Sequence, residues 1–366
     1  MKLDIQISKT LDLPFILELS ENPEADFLRV LHTWELFQGR RLTGLVLTGS
    51  SANTVSVAER YAGYLKRAGA IHVVQECVRS SSLAEVARIK GVLKETGADF
   101  VTAVGAGKVI DVAKAVIAEY PRALIAIPSA LSSDGVGSPV SVLRDEAGRT
   151  GSYPAAIAAC IFVDLSIVSS APAILTMSGM GDVLSNASAL CDLADAEDSL
   201  SSRVNGLAKI LSANAYQSLL DVDNGELQTI STARKLGASV VLSGLAMALS
   251  GNSRPCSGAE HLISHAIDHM KVGSGTHGVQ VAAGTLYCAA LRTVAFQENR
   301  IDPAVTAAIR RIGIPATPAQ FGLTRQDFLR AVSLAPRMRA GRVTFLDTEF
   351  ESHALEQAFE LAFEHS

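Results

Sequence analysis

Short apolar runs alternate with amphipathic stretches along the first half of the chain. Five of these runs are typical of buried β-strands and cover residues 42–47, 70–74, 99–104, 123–127 and 161–163. Helical patterns lie between the first four runs. Because continuous apolar strands that alternate with helices form parallel sheets covered on both faces, the pattern predicts an α/β domain with a parallel sheet.

The pattern changes after about Leu165. Long windows rich in Ala, Leu and Ser follow, with few β-branched runs and no strand-like alternation, so residues 166–366 are predicted to be largely helical. We place the boundary within residues 166–172. The predicted organisation is an α/β domain over residues 1–168 and an all-α domain over residues 169–366.

The composition fits two globular domains. The chain has 366 residues, of which 48% are hydrophobic and 19% are charged. Its net charge is −5, no cluster of Lys and Arg stands out, and aromatic residues make up only 5%. Binding of nucleic acid or of an anionic lipid surface is therefore not predicted.

Several features predict a cytoplasmic protein. The five cysteines are widely spaced and form no CxxC pair, which indicates a reduced chain without a disulfide framework or a thiolate zinc site. Residues 1–20 carry acidic side chains and no apolar block, unlike a signal peptide. Residues 236–250 and 154–177 are too short or too interrupted to span a membrane. We also expect a homo-oligomer, although the sequence does not give the number of subunits.

A glycine-rich turn follows the third predicted strand, in the segment VTAVGAGKVIDVAK of residues 101–114. Gly105 and Gly107 stand where a buried strand passes into a helix, which aims free N–H groups and the positive helix end at an anion such as a pyrophosphate. The segment is neither a GxGxxG fingerprint nor a Walker A loop, because Ile110 and Thr102 occupy the required glycine positions. A tight strand-to-helix turn without a ligand is the alternative.

A second polar loop, IPSALSSDG at residues 127–135, follows the fourth predicted strand. In open α/β sheets, ligands bind at the carboxyl ends of the strands. The hydroxyl groups of Ser129, Ser132 and Ser133 and the carboxylate of Asp134 suit a ribose or a sugar-like substrate. A polar loop stabilised by an Asx turn at Asp134 is the alternative.

The helical half carries residues typical of a metal site. Asp182 lies in the segment MGD, His261 and His265 stand one helical turn apart, and His277 lies in THG. One carboxylate and two imidazoles form a site for a divalent ion with open positions, suited to Lewis-acid chemistry on a hydroxyl or carbonyl oxygen. A structural role is the alternative for any single histidine, and we assign no role to His269.

Five segments together resemble the sn-glycerol-1-phosphate dehydrogenase family. It is a branch of the superfamily of iron-containing alcohol dehydrogenases, glycerol dehydrogenases and dehydroquinate synthases. The segments are VGAGKVIDVAK (104–114), IPSALSSDGVGSP (127–139), SGMGDVLSNASALCD (178–192), SGNSRPCSGAEHLISHAID (250–268) and HGVQVAAGT (277–285). The string SRPxSGxEHxxSHxxD is fairly specific to this branch, whereas residues after about 290 match only loosely. The resemblance implies a dehydroquinate synthase-like fold, with a Rossmann-like domain, a helical domain and a cleft between them.

The resemblance also implies roles for individual residues. Asp182, His261 and His277 would hold one divalent metal ion, most often Zn²⁺ with Ni²⁺ or Fe²⁺ as alternatives. His265 and Asp134 would lie beside the substrate and the nicotinamide of NAD(P)H, and the reaction would be the reduction of dihydroxyacetone phosphate to sn-glycerol 1-phosphate. The predicted cofactor-binding residues are Gly49, Gly105, Gly107, Lys108, Asp111, Ser129 and Ser132, of which the resemblance assigns Gly105, Gly107 and Lys108 to the pyrophosphate.

Five positions near the expected pocket depart from the family pattern. Ser129 and Ser133 replace the usual Thr and His, Cys191 and Leu193 replace an aromatic pair, and Val279 replaces an acidic residue. Another phosphorylated or polyol ketone is therefore an alternative substrate. A dehydroquinate-synthase-like cyclase is a further alternative, which the absence of Gly-Gly-Lys after the aspartate loop disfavours. A metal- or nucleotide-binding protein without catalysis is the third.

Three further features bear on the ligands. The first predicted strand ends in LTG at residues 47–49 without a carboxylate, so NADPH is predicted to be accepted at least as well as NADH. Arg254 stands shortly before His261 and either binds the phosphate of the substrate or caps the carboxyl end of the preceding predicted helix. Asp111 and Lys114 also fit an exposed i,i+3 ion pair, which is the alternative to a cofactor contact by Asp111.

Overall fold

The computed structural model describes residues 16–195 and 204–364. Residues 1–15, on which most of the signal-peptide argument rests, lie outside the described residues. Six strands form the central sheet: β1 (Ile16–Ser20), β2 (Leu42–Thr48), β3 (Ala70–Cys77), β4 (Phe100–Gly105), β5 (Ala123–Pro128) and β8 (Cys160–Asp164). All neighbouring strands pair in parallel, in the order β1-β8-β5-β4-β2-β3. The predicted parallel sheet is confirmed.

Three strands were not predicted from the hydrophobic pattern. The edge strand β1 contains Glu18 and pairs only with β8, so its sequence lacks the apolar run of a central strand. The other two form an antiparallel hairpin, β6 (Val140–Arg144) and β7 (Thr150–Pro154), which stands apart from the main sheet. Its strands are five residues long; β6 buries two alternate positions and β7 buries none, which is too weak a signal to separate from a loop.

Helices cover both faces of the sheet. They are α1 (Pro23–Thr33), α2 (Ala52–Arg67), α3 (Leu83–Thr96) and α4 (Gly107–Glu119). Ser51 and Ser82 cap α2 and α3, since each side-chain oxygen accepts a hydrogen bond from an N–H group of the first turn. One face of the sheet packs in a core around Tyr61, Phe100 and Phe162. The other face belongs to a larger core that continues into the helical part.

The described residues after Asp164 contain helices and no strand. The helices are α5 (Leu165–Ser169), α6 (Ala173–Leu184), α7 (Asn186–Asp195), α8 (Gly206–Gln217), α9 (Ile230–Ser250), α10 (Ala259–Met270), α11 (His277–Phe296), α12 (Pro303–Ile312), α13 (Arg325–Leu334) and α14 (Ser352–Phe363). The prediction of a largely helical second half is confirmed. The boundary at residue 168 stays a prediction, because α5 and α9 share one hydrophobic core with the sheet.

One helix of the described chain, α11, is long and apolar enough to cross a membrane by length and composition. Of its most apolar window, 78% is buried inside the fold. It packs against α6, α10 and α14, so other helices cover its apolar surface. Helix α9 covers residues 236–250, the segment considered at the sequence level.

The strand order places a ligand cleft at a definite edge. From β2 the chain proceeds outward to β3, whereas from β4 it proceeds in the opposite direction to β5. The loops after β2 and β4 therefore diverge at their carboxyl ends and leave a crevice between them. Ligands of open α/β sheets bind at such a switch point.

Candidate active site

Three polar side chains of the helical part converge on one point. Asp182 lies on α6, His261 on α10 and His277 at the first position of α11. Their ligand atoms all lie within 4.8 Å of one another. Asp182 Oδ1 is 3.2 Å from His261 Nε2 and 3.6 Å from His277 Nε2. The structure therefore brings together the three residues that were predicted as metal ligands.

Hydrogen bonds fix the tautomer of each histidine. The Nδ1 of His261 lies 2.8 Å from Glu260 Oε1, a carboxylate that only accepts, so Nδ1 carries the proton. Ser264 Oγ donates to Gln280 Oε1 and must accept from the Nδ1 of His277. The amide of Gln280 is oriented by two further bonds from its Nε2. In the neutral form of each imidazole the lone pair is therefore on Nε2, the atom that faces Asp182.

The carboxylate of Asp182 completes a donor set that fits a divalent ion. Its Oδ2 accepts a hydrogen bond of 2.8 Å from the backbone N–H of Asp134, whereas its buried Oδ1 has no hydrogen-bond partner. Two ligands of one tetrahedral zinc ion lie about 3.3 Å apart. The separations of Oδ1 from the two Nε2 atoms are close to that value, so a cation explains an orphaned oxygen that would otherwise cost free energy.

Burial and mutual contact shift the pKa values of Asp182, His261 and His277. Burial alone would lower the pKa of His261, but hydrogen bonds and charge from Asp182 and Glu260 raise it to about 10. Burial lowers the pKa of His277. Burial would raise the pKa of Asp182, but His261 and His277 lower it below its usual value. Because only the neutral imidazole ligates, a bound metal ion displaces a proton from His261.

Close backbone contacts position the ligands of α6 and α11. A Cβ on Gly278 would lie 1.7 Å from the carbonyl oxygen of Ser178, and one on Gly181 would lie 2.4 Å from the carbonyl oxygen of Gly278. Ser178 Oγ also accepts a hydrogen bond of 3.3 Å from the N–H of Gly278. The two backbones approach this closely only because glycine has no side chain, and this contact places His277 beside Asp182.

The predicted nucleotide loops lie next to one another at the carboxyl edge of the sheet. Gly105 ends β4, Gly107 begins α4, and Ser129 N–H donates to the carbonyl of Gly105 over 3.0 Å. A Cβ on Gly107 would meet no atom within 4 Å, so the first turn of α4 faces open space. No side chain caps that turn. Free N–H groups and open space at a helix N-terminus fit a pyrophosphate.

The remaining predicted cofactor residues surround this turn. Gly49 follows β2, and a Cβ there would lie 3.2 Å from Thr54 Oγ1. Lys108 is exposed in the first turn of α4. The carbonyl of Ser132 accepts a hydrogen bond of 2.9 Å from Ser178 Oγ, which ties the polar loop to α6. The contacts of these residues with a cofactor stay predictions.

Asp111 and Lys114 are not an exposed ion pair, as one alternative proposed. Lys114 is completely buried, and its Nζ donates to the carbonyl oxygens of Gly135 and Val140. Asp111 lies 3.6 Å from that ammonium and accepts from the N–H of Val142. Both side chains therefore join α4 to the polar loop and to the hairpin. The pattern at the sequence level missed this because burial of Lys114 depends on the unpredicted β6.

The two predicted catalytic residues lie on either side of the metal ligands. His265 is half-buried on α10, and its ring lies 6.4 Å from that of His261 and 6.3 Å from that of His277. Burial and then the charges of His277 and His261 lower its pKa to about 3. Burial, followed by the charge of Asp182, raises the pKa of Asp134 well above its ordinary value. Their catalytic roles stay predictions.

Arg254 does not cap the preceding helix. Gly251, in a left-handed conformation with φ of 67°, ends α9. The guanidinium of Arg254 donates instead to the carbonyl oxygens of Gly341 and Val343, over 3.0 and 3.2 Å. It anchors a distant loop, an interaction that no local pattern reveals. Both Nη groups are used in this way, which does not favour the predicted contact with a substrate phosphate.

Three of the five departures from the family pattern are core positions. Val279 is 1% exposed, Leu193 is 2% exposed and Cys191 is 9% exposed, so all three side chains are buried in the core. Val279 lies in the first turn of α11, after His277 and Gly278, and its side chain packs in the main hydrophobic core. A hydrophobic residue there follows from its packing, and it does not argue for a different substrate. Ser129 and Ser133 lie on the polar loop, as expected.

Glu260 contacts the predicted metal ligand His261, and the sequence argument gave it no role. Its carboxylate is fully buried and accepts from His261 Nδ1 and from the N–H of Gly258 over 2.7 Å. Such an outer carboxylate orients a histidine ligand and raises its basicity. The available signal was its position directly before His261 in the segment AEH.

Glu260→Gln is expected to weaken metal binding about ten- to hundredfold, because the amide holds the His261 imidazole less firmly than the carboxylate. Titration of the metal-free protein with Zn²⁺ in competition with a chelating dye measures this affinity. Glu95→Gln on the exposed face of α3 is the control and should bind as the unchanged protein does. An unaltered affinity of the Glu260 variant would remove Glu260 from the site.

Comparisons with known proteins agree with this geometry. The family model described as iron-containing alcohol dehydrogenase matches residues 31–172. Glycerol-1-phosphate dehydrogenase [NAD(P)+] of Archaeoglobus fulgidus is 31% identical over 342 residues, which cover 93% of this chain and 94% of the relative. The enzyme of the same name from Methanothermobacter thermautotrophicus is 32% identical over 311 residues, which cover 85% and 86%.

Solved structures share the fold over nearly the whole chain. A probable glycerol dehydrogenase from Sinorhizobium meliloti superposes with a TM-score of 0.74 at 19% identity and covers 96% of this chain and 97% of its own. A sulfoacetaldehyde reductase from Bifidobacterium kashiwanohense, solved with NAD+, gives 0.70 at 18% identity, with 98% and 99% covered. The fold and the resemblance predicted from the five segments are confirmed. The chain belongs to the glycerol-1-phosphate dehydrogenase family within the superfamily of iron-containing alcohol dehydrogenases.

Proposed function

We propose that this NAD(P)-dependent alcohol dehydrogenase reduces dihydroxyacetone phosphate, or a closely related phosphorylated polyol ketone, to sn-glycerol 1-phosphate or the corresponding alcohol. The observation that carries the proposal is the convergence of one ligand atom each from Asp182, His261 and His277, all within 4.8 Å of one another. The relatives that share about a third of their residues with this chain over most of its length support the choice of substrate.

The mechanism divides the work between two bound groups and the chain. A divalent ion on Asp182, His261 and His277 supplies Lewis-acid polarisation of the carbonyl, and the reduced nicotinamide supplies the hydride. The first turn of α4, with Gly107 and Lys108, would hold the pyrophosphate of the cofactor. The N–H of Asp134 holds the Asp182 carboxylate in a fixed orientation.

The remaining step is delivery of one proton. Reduction of a carbonyl to an alcohol would need one proton at the oxygen in addition to the hydride at the carbon. His265 lies beside both histidine ligands and is half-exposed, so it connects the site to solvent and can relay this proton. We assign this relay to His265 and a neighbouring role to Asp134.

We propose zinc as the metal. Two imidazoles and one carboxylate with an open position are the ligand set of catalytic zinc sites. Ni²⁺ and Fe²⁺ accept the same donors and are the alternatives.

A turnover assay tests the function. NADPH oxidation is followed with dihydroxyacetone phosphate in metal-free protein, before and after addition of Zn²⁺, and the chirality of the product is determined. We expect metal-dependent turnover and sn-glycerol 1-phosphate. Turnover of unphosphorylated ketones alone would contradict the proposed substrate, and nucleotide binding without turnover of any ketone would favour a protein that has lost catalysis.

NADPH is expected to serve at least as well as NADH. Strand β2 ends at Thr48, and Gly49 and Ser50 follow it, so no carboxylate stands there to repel a 2′-phosphate. On the neighbouring strand β3, Glu76 is ion-paired with Arg88. The measurement is kcat/KM for the two cofactors at saturating ketone. A preference for NADH of tenfold, which is about 1.4 kcal/mol, would contradict this prediction.

A further inference from the structure

Three arginines lie together before and beside α10, and every partner that the described residues offer their guanidinium groups is neutral. Arg254 precedes the helix, whereas Arg339 and Arg342 follow α13. Their hydrogen bonds reach only backbone carbonyls and the hydroxyl of Ser253. Elsewhere in the described chain, buried arginine is matched with carboxylate: Arg292 contacts Asp192 and Asp195.

Two of the guanidinium groups converge on a single atom. Ser253 Oγ accepts from Arg339 Nη1 and from Arg342 Nη2, each over 2.8 Å. Arg342 is 7% exposed and is held further by the carbonyl of Ser257. Two positive charges thus lie around one neutral oxygen, and the guanidinium of Arg342 is largely shielded from water. Such an arrangement is costly unless an anion joins it.

The positive charges of the three arginines oppose one another. Burial, and then the charges of Arg339 and Arg254, lower the pKa of Arg342 to about 9. Burial and the charge of Arg254 lower the pKa of Arg339. Two carboxylates nearby, Asp192 and Glu260, partly offset this charge. Asp192 already binds Arg292 and backbone N–H groups, whereas Glu260 accepts from His261 and Gly258 through Oε1 and keeps a buried Oε2 without a hydrogen-bond partner among the described residues.

The arginines lie near α10, the helix that carries His261 and His265. The turn Ala335–Arg337 packs against α10, and Arg339 follows two residues later. The positive charges of Arg339 and Arg342 reach His265, whose pKa they lower after the larger effects of burial, His277 and His261. A group bound at the arginines is therefore within reach of a substrate that lies beside His265.

We propose that Arg339 and Arg342 bind the phosphate group of the substrate. Arg339 uses only Nη1 to donate to Ser253. Its Nε and Nη2 form the edge of the guanidinium that can bind a phosphate in a bidentate manner. Arg342 is the fixed positive charge behind it. The inference rests on the proposed function in one respect, that the substrate is a phosphomonoester. It transfers to Arg339 and Arg342 the role that the sequence suggested for Arg254.

Arg339→Gln tests the inference, since Arg339 is half-buried and its replacement leaves the core intact. We expect KM for dihydroxyacetone phosphate to rise about ten- to hundredfold, as for loss of a charged hydrogen-bonding pair. Values of kcat/KM for dihydroxyacetone, and KM for NADPH, should stay within about twofold. Arg339→Lys keeps the charge without the bidentate edge, so its KM for dihydroxyacetone phosphate should lie between those of the unaltered protein and of Arg339→Gln. Arg337→Gln, exposed two residues away, is the matched control and should change nothing.

The outcomes separate this inference from the proposed function. Equal losses on phosphorylated and unphosphorylated ketone, or an unchanged KM for dihydroxyacetone phosphate, would overturn the phosphate site. A rise of KM for NADPH alone would also overturn it, because the 2′-phosphate of the cofactor would then be the ligand. If the unaltered enzyme reduces only unphosphorylated ketones, the proposed function fails. Calorimetric titration of the metal-loaded protein with inorganic phosphate then decides the site: binding that Arg339→Gln abolishes supports it, and equal binding overturns it.

Discussion

His261→Ala is expected to lose its stoichiometric metal ion and about a thousandfold in kcat/KM. The imidazole supplies one of the three ligand atoms of the predicted site, and its removal leaves only Asp182 and His277 to hold a divalent ion. Lewis-acid stabilisation of a developing negative charge supplies several kcal/mol, and each 1.4 kcal/mol corresponds to about a factor of ten in rate. Elemental analysis after gel filtration and steady-state kinetics with added Zn²⁺ measure the two effects.

The same helix offers a matched control. His269 lies on α10 and is exposed, so His269→Ala should keep both metal and activity. Asp182→Asn keeps the shape of the side chain and should resemble His261→Ala, because the amide cannot offer an anionic oxygen to the cation. Full metal content and full activity in the His261 variant would show that the ligand assignment is wrong.

Lys114→Met is expected to lower the free energy of unfolding by about 3–5 kcal/mol, the usual cost of breaking a buried ionic pair from one side. The variant leaves the carbonyls of Gly135 and Val140 and the carboxylate of Asp111 without their cation. Since the loop they hold carries Asp134, kcat/KM should fall as well. Urea denaturation of metal-free protein, followed by circular dichroism, measures the stability.

Lys66→Met is the control for this change. Lys66 is exposed near the end of α2, and its replacement should alter the free energy of unfolding by no more than about 0.5 kcal/mol. Equal midpoints for the Lys114 variant and the unaltered protein would mean that Lys114 does not tie the loop to α4.

The dehydroquinate-synthase-like cyclase considered from the sequence is not supported. The chain is 31% identical to a glycerol-1-phosphate dehydrogenase over 93% of its length, and its family is that of alcohol dehydrogenases. The fold alone would not have decided this, because one scaffold serves several chemistries.

The sequence was most informative where one residue acts through its type and its local spacing. Buried strands appear as apolar runs in the sequence, and Gly105 and Gly107 stand at the end of one of them. The parallel sheet and the glycine turn between β4 and α4 were therefore predictable. Asp182, His261 and His277 were identified because the donor types that bind divalent ions are few and stand in segments that resemble a known family. Their convergence is a property of the fold, which the structure supplies.

The structure alone decided what depends on contacts between distant segments. The sequence pattern allows Lys114 to be a surface residue, whereas in the structure it contacts β6 and is buried. The pattern likewise allows Arg254 to be a helix cap, whereas in the structure it binds the loop at residues 341–343. Ser264 and Gln280 set the tautomer of His277 from two different helices. Arg339 and Arg342 lie in the part of the chain with the weakest resemblance. The physical reason is that burial, hydrogen-bond partners and charge pairing are set by the surroundings of a side chain, whereas sequence periodicity reports only its neighbours along the chain.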